Sequence, residues 1–413
     1  MDNDLKKFVK DIADTFRSIS GSQELIDPQD FSVKAQDVAD DVVKKNLEGS
    51  ATSLTASDFG SASVIRKYAF GYYNTLASIE IPEGVNVIRE NAFDYCQNVQ
   101  TLSLPSSLTR IYSQAFAHFG YTNQSSKLAL SLNGSCQIDA YAFQASNIVG
   151  VSGTMGNIGL QAFCQCPKLK TINIGYCGNV GDNAFSFGSL QDAQSLQSVK
   201  ISMHGTLGDN VFNYCRYIKE IDFSESVITS LPVGGGTRRF GLCIGASRSA
   251  SSTNVLTYDF RNSTFTDIPS YFFAGMDLQQ YYNNYMVYRF PVTLETIGSS
   301  AFANNRSSVV IFYGDTIPSL SNSNTFNNFT GMIWVPYQHV GAWRDATNWT
   351  GVASNIYGFA PGGTFNQGDT LPTHNEEGYE LVWHDMMWSA YHVVTTVEDE
   401  TAELFCTVSD TLE

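Results

Sequence analysis

The residues best equipped for chemistry in this 413-residue chain are scattered rather than gathered. Gly234-Gly235-Gly236-Thr237-Arg238-Arg239 sets backbone amides beside two cations, as a phosphate cradle does. It lacks the Lys-Ser/Thr that would grip the phosphates and their metal, so a plain loop is expected. Glu376, Glu377, His384, Asp385 and His392 could pass protons or hold a metal, but they fall on expected turns of a small acidic segment, where water solvates them. Cys164-Gln165-Cys166, with Cys136 and Cys177, is the densest thiol group. Cys-x-Cys is not the zinc-knuckle spacing and no histidine lies near, so burial as small apolar filler is expected. A Gly-x-Ser-x-Gly elbow and a His-Glu-x-x-His helix are both missing. No catalytic, cofactor-binding or metal-ligating residue is assigned; the chain reads as a non-enzyme without a cofactor.

Binding chemistry is better represented. In the run Gln279 to Tyr288, the residues Tyr281, Tyr282, Asn283, Asn284, Tyr285 and Tyr288 have the composition of a recognition loop. Tyrosine gives contact area at low entropy cost, and asparagine adapts its hydrogen bonds.

What must position these residues is a repeat. Ala-Phe recurs at Ala69-Phe70, Ala92-Phe93, Ala115-Phe116, Ala142-Phe143, Ala162-Phe163 and Ala184-Phe185, in steps of 23, 23, 27, 20 and 22 residues, and again at Ala301-Phe302. Such a period marks a solenoid whose units bury their apolar face only by stacking. Within one unit, the spacing of Ala92, Phe93 and Cys96 predicts an inward-facing helical turn. Leu102 and Leu104 alternate with Ser103 as a half-buried strand does, and Pro105 ends it. The same strand logic fits Ser78–Ile81, Thr171–Ile174, Ser198–Ile201, Glu220–Phe223, Val309–Phe312 and Met332–Val335. Roughly ten coils at about 5 Å each predict a rod of about 50 Å.

Charge is unevenly placed. Of the net −16, residues 361–413 supply −11, with eleven acids and no Lys or Arg. No basic face is available to neutralise phosphates, which argues against nucleic acid as partner. No segment reaches the roughly 18 apolar residues of a membrane span. The charged start Met1-Asp2-Asn3-Asp4-Leu5-Lys6-Lys7 is followed by no apolar core, so no secretory signal is expected.

Residues 1–50 read as a helical docking or capping segment. Leu5, Phe8, Ile12 and Phe16 make an apolar stripe suited to docking or homo-oligomerisation, and Asp27-Pro28 opens a second helix. After Pro361-Gly362-Gly363, the pattern changes to short strands and turns. The expected domains are therefore 1–50, the solenoid 51–358, and an acidic β-rich module 359–413.

The phrase Ile111-Tyr-Ser-Gln-Ala-Phe116, with Cys96, Cys166 and Cys215 three residues after Phe, resembles the BspA-like leucine-rich repeat family. The resemblance spans roughly 54–358 and implies an α/β solenoid with a recognition role; Ile333-Trp-Val-Pro336 to Ile356 is similar to the family's closing segment. Ile12-Ala-Asp-Thr-Phe-Arg with Ile26-Asp-Pro-Gln-Asp-Phe31 resembles a module at the start of phage tail-associated proteins. Gly368 to Pro372 with Glu377-Gly-Tyr379 resembles the β-grasp-like Listeria–Bacteroides repeat. Together these resemblances imply a virion protein that binds other virion proteins or a host surface glycan or protein. The alternative is a bacterial or prophage-encoded cell-surface adhesin.

Overall fold

The structure is a computed structural model. It describes residues 51–122, 128–187, 196–213, 215, 218–232, 254–274, 284–305 and 308–359, with the backbone of strands Tyr379–His384, Met387–Val394 and Glu403–Phe405. The expected N-terminal helices, with Leu5, Phe8, Ile12 and Phe16, lie outside the described residues, as do Gly234 to Arg239.

The early coils each contribute a strand to a front sheet and a two-residue strand to a rear sheet, at Val64–Ile65, Val87–Ile88, Arg110–Ile111 and Gln137–Ile138, and then turn through their Ala-Phe; beyond Ile138 the rear side continues as single bridges at Ile158, Val180 and Leu207. Front strands Leu128–Leu132, Ile148–Thr154, Thr171–Cys177, Ser198–Thr206 and Glu220–Asp222 pair in parallel, in chain order. A second front sheet runs through Asn254–Asp259, Asn284–Phe290, Ser308–Phe312, Met332–Pro336 and Ile356–Phe359. The result is a β-solenoid of about 11 turns.

The solenoid part of the expectation is met and the α/β part is not confirmed: the described residues carry only two short α-helices, Ala56–Phe59 and Val340–Asp345. The expected helical turn at Ala92 to Cys96 is not helical. Asn91 and Tyr95 sit at φ 56° and 58°, in the left-handed region that a right-handed helix cannot contain. Hydrogen bonds alternate instead. Ala92 N and Asp94 N donate within the coil to Arg89 O and Asn91 O, while Phe93 N and Tyr95 N donate to Ala115 O and Ala117 O of the next coil. Every other amide thus joins an inter-coil ladder, which offsets the cost of the left-handed residues.

The repeat phenylalanines form a ring column in two runs. Phe70, Phe93, Phe116, Phe143, Phe163, Phe185 and Phe212 stack at 5.0–5.6 Å with interplanar angles of 11° or less. It resumes at Phe273, Phe302 and Phe326. Glycine lets the coils close around it: a Cβ on Gly181 would meet Leu160 N at 2.7 Å, and one on Gly208 would meet Asp182 N at 2.5 Å. At the far end Trp343 and Trp349 cover Phe312 and Phe326, and Trp349 Nε1 donates to Pro318 O at 2.9 Å. The closing segment therefore supplies the aromatic cover that a solenoid end requires.

Candidate binding surface

The left-handed turns set the outer surface. In successive coils the position two residues after the repeat phenylalanine holds Tyr72, Tyr95 and His118, at φ 67°, 58° and 55°. Their side chains form a second aromatic column. Tyr72 and Tyr95 stack at 4.9 Å and 4°, and Tyr95 and His118 at 4.0 Å and 18°. Unlike the phenylalanine column this one faces water, with Tyr72 63% exposed.

Polar groups frame it. Asp94, buried behind the rings, accepts from Asn91 Nδ2 at 3.2 Å and lies 3.5 Å from His118 Nδ1. Burial pushes the Asp94 carboxyl above its usual range, against the opposing pull of Asn91 and His118. The residue before each Ala-Phe adds Tyr68, Asn91 and Gln114, and Lys67 Nζ lies over the Tyr68 ring at 5.1 Å. Tyr112 is clasped by the guanidinium groups of Arg89 and Arg110 at 4.7 and 4.4 Å. Arg110 is held in turn by a fork of bonds to Asp139. A shorter aromatic pair, Tyr176 with His204 at 4.8 Å, closes the outward ends of two front strands. The surface offers ring edges, amides and paired charges at the coil repeat, which is recognition chemistry.

Of the expected recognition residues, Tyr281, Tyr282 and Asn283 lie outside the described residues. Asn284 and Tyr285 open strand Asn284–Phe290, in register with Asn254 and Val255, rather than a loop. Tyr288 is a correction: it is 0% exposed and stacks on Tyr258 at 5.4 Å. Strand alternation turns it inward, so it cannot meet a partner.

Among the described residues all six thiols are buried, and three of them do more than fill space. Cys96, Cys166 and Cys215 Sγ donate to Phe70, Phe143 and Phe185 O of a preceding coil at 3.0, 3.1 and 3.2 Å. Ser146 and Asn305 do the same for Phe116 and Phe273 O, at 2.8 and 2.9 Å. The position three residues after Phe is therefore a donor site for the neighbouring coil's carbonyl. Burial pushes the Cys166 thiol up to about 12, which keeps it protonated and inert. Among the described residues, no three His, Cys, Asp or Glu side chains are placed to hold a metal ion, and no helix is long and apolar enough to cross a membrane.

The outer column was missed in the sequence. Its signal was there, in Tyr, Asn, Gln or His at fixed offsets on both sides of Ala-Phe, but polar residues in a solenoid read as generic surface.

The family model described as BspA type leucine rich repeat region matches residues 63–191, 136–231 and 246–333, in 6 copies. A search of curated proteins returned no match. Among solved structures, a leucine-rich repeat protein from Bacteroides ovatus is similar at 17% identity and TM-score 0.24, with 69% of this chain and 86% of that chain covered.

Proposed function

Because the chain belongs to the BspA-type leucine-rich repeat family, we propose that it is a non-enzymatic binding protein that presents its solenoid to a host surface component or another virion protein. The observation that carries this reading is the water-facing column Tyr72–Tyr95–His118 with its amide and arginine frame. Aromatic rings and arginine are the side chains that dominate protein recognition. Leucine-rich repeats generally serve protein binding or adhesion, and residues 51–360, with 17 Lys or Arg against 18 Asp or Glu, have the near-neutral surface that suits that use.

The site of action we propose is a phage virion, as a tail- or head-associated fibre or decoration. The support is the resemblance of residues 12–31 to a tail-associated module. Attachment would run through the 1–50 segment, leaving the coils to meet a host surface component or another virion protein. The second reading, a cell-surface adhesin, is compatible with the family. Quantitative mass spectrometry of gradient-purified particles and of the host envelope separates the two. A fixed copy number per major capsid protein is the expected result. Recovery from the envelope alone supports the adhesin, and recovery from neither contradicts both.

A further inference from the structure

The outward face of the front sheet changes character along the solenoid. In Thr171–Cys177 and Ser198–Thr206 its residues include Thr171, Asn173 and Lys200, all exposed. In the second front sheet they are Val287, Val309, Ile311 and Trp334, each 3% exposed or less. These four stand apart from the contiguous core, which takes the alternate residues Tyr288, Val310, Phe312 and Ile333. An apolar second face on a parallel sheet is the pattern of a sheet covered on both sides.

Register adds charge to that face. Asp259, Arg289, Ile311, Trp334 and Tyr357 align in one row across the sheet. Asp259 accepts a fork of bonds from Arg261 and one from Arg289 Nη1 at 3.3 Å. Two guanidinium groups therefore share one carboxylate. Arg289 is 8% exposed, and its Nε has no hydrogen-bond partner. A buried cation with an unused donor calls for a second anion.

We propose that this face is the docking surface of the chain's own acidic C-terminal segment, residues 360–413. The chain leaves the sheet from its last strand, Ile356–Phe359, with Phe359 in register with Pro336, so the segment begins at the edge of this face. With eleven acids and no Lys or Arg in residues 361–413, the segment can supply an acceptor for Arg289 Nε. Its three antiparallel strands set Leu381 opposite Ala390 and Trp383 opposite Trp388. A sheet this small is stable only with one face packed on another layer. The four apolar residues supply that layer, and a carboxylate of the segment completes Arg289.

A specific protease site inserted between Gly362 and Gly363 of the full chain tests this. After cleavage, residues 363–413 should co-elute with the solenoid in low salt and separate as salt rises. Arg289→Met, which keeps length and apolar bulk, should speed release about tenfold, the loss of one charge-assisted bond. A second arm avoids any buried change: a photo-crosslinking amino acid at half-buried Tyr357 should capture peptides from 379–405. The proposal is overturned if the cleaved segment separates at once in low salt. It is equally overturned if crosslinks run only to 233–253, to 275–283 or to a second copy.

Discussion

Removing one ring from the middle of the phenylalanine column should weaken the fold by more than the lost ring's own burial. Phe143 is 0% exposed and lies between Phe116 at 5.0 Å and 1° and Phe163 at 5.1 Å and 4°. Phe143→Leu keeps an apolar side chain, so reduced burial and the residual void cost about 1 kcal/mol. Two stacked pairs are lost as well, at about 0.5–1.5 kcal/mol each. The total is about 2–4 kcal/mol, read as a lowered midpoint in urea unfolding at unchanged slope. The double change Phe116→Leu with Phe143→Leu should then be less destabilising than the sum, by roughly 0.5–1.5 kcal/mol, since the shared contact is lost only once. Pairing Phe143→Leu with the distant Phe312→Leu should be additive within about 0.5 kcal/mol. Additivity for the adjacent pair would refute the claim that stacking, rather than burial alone, couples the coils.

Gly181→Ala should cost about 1–3 kcal/mol, because its Cβ meets the Leu160 backbone at 2.7 Å. Gly341→Ala, in helix Val340–Asp345 with nothing within 4 Å of its Cβ, should be stabilising by up to about 1 kcal/mol; thermal melts separate the two. Cys96, Cys166 and Cys177, each held up to about 12 by burial, should resist iodoacetamide at pH 8 in the folded chain and react at the unfolding rate, as peptide mapping would read. Asp94 has a folded pKa above its unfolded value, so its contribution to stability is full below the unfolded pKa of about 3.8 and is lost as pH rises through the folded pKa. Asp94→Asn should flatten that part of a melting-temperature profile against pH.

Strand positions were legible because period two survives from Thr171 to Ile174, where burial alternates, and because Met332 to Val335 is a short apolar run, buried from Ile333 onward. The Ala-Phe turn was legible as inward-facing but not in its backbone path. Apolar spacing around Ala92, Phe93 and Cys96 fits a helix, while the deciding fact is a left-handed residue on either side, tolerated because the neighbouring coil takes the amides. Tyr288 was misread for a related reason. A tyrosine-rich run resembles a loop until the strand register, set by Leu256 against Met286 in adjacent coils, assigns alternate residues to the interior. The cysteine position was read correctly as buried, but its role as a donor to Phe70, Phe143 and Phe185 O depends on inter-coil contact that no local pattern encodes.

The most direct test of the account is binding of the full chain to intact host cells and to their extracted surface proteins. It should be measured for the wild type and for Tyr72→Ala/Tyr95→Ala, with folding of the variant checked by its urea midpoint. Loss of binding by tenfold or more, with the midpoint shifted by no more than the lost ring stack, is the predicted result. Unchanged binding would place recognition elsewhere on the molecule and contradict the role given to the Tyr72–Tyr95–His118 column.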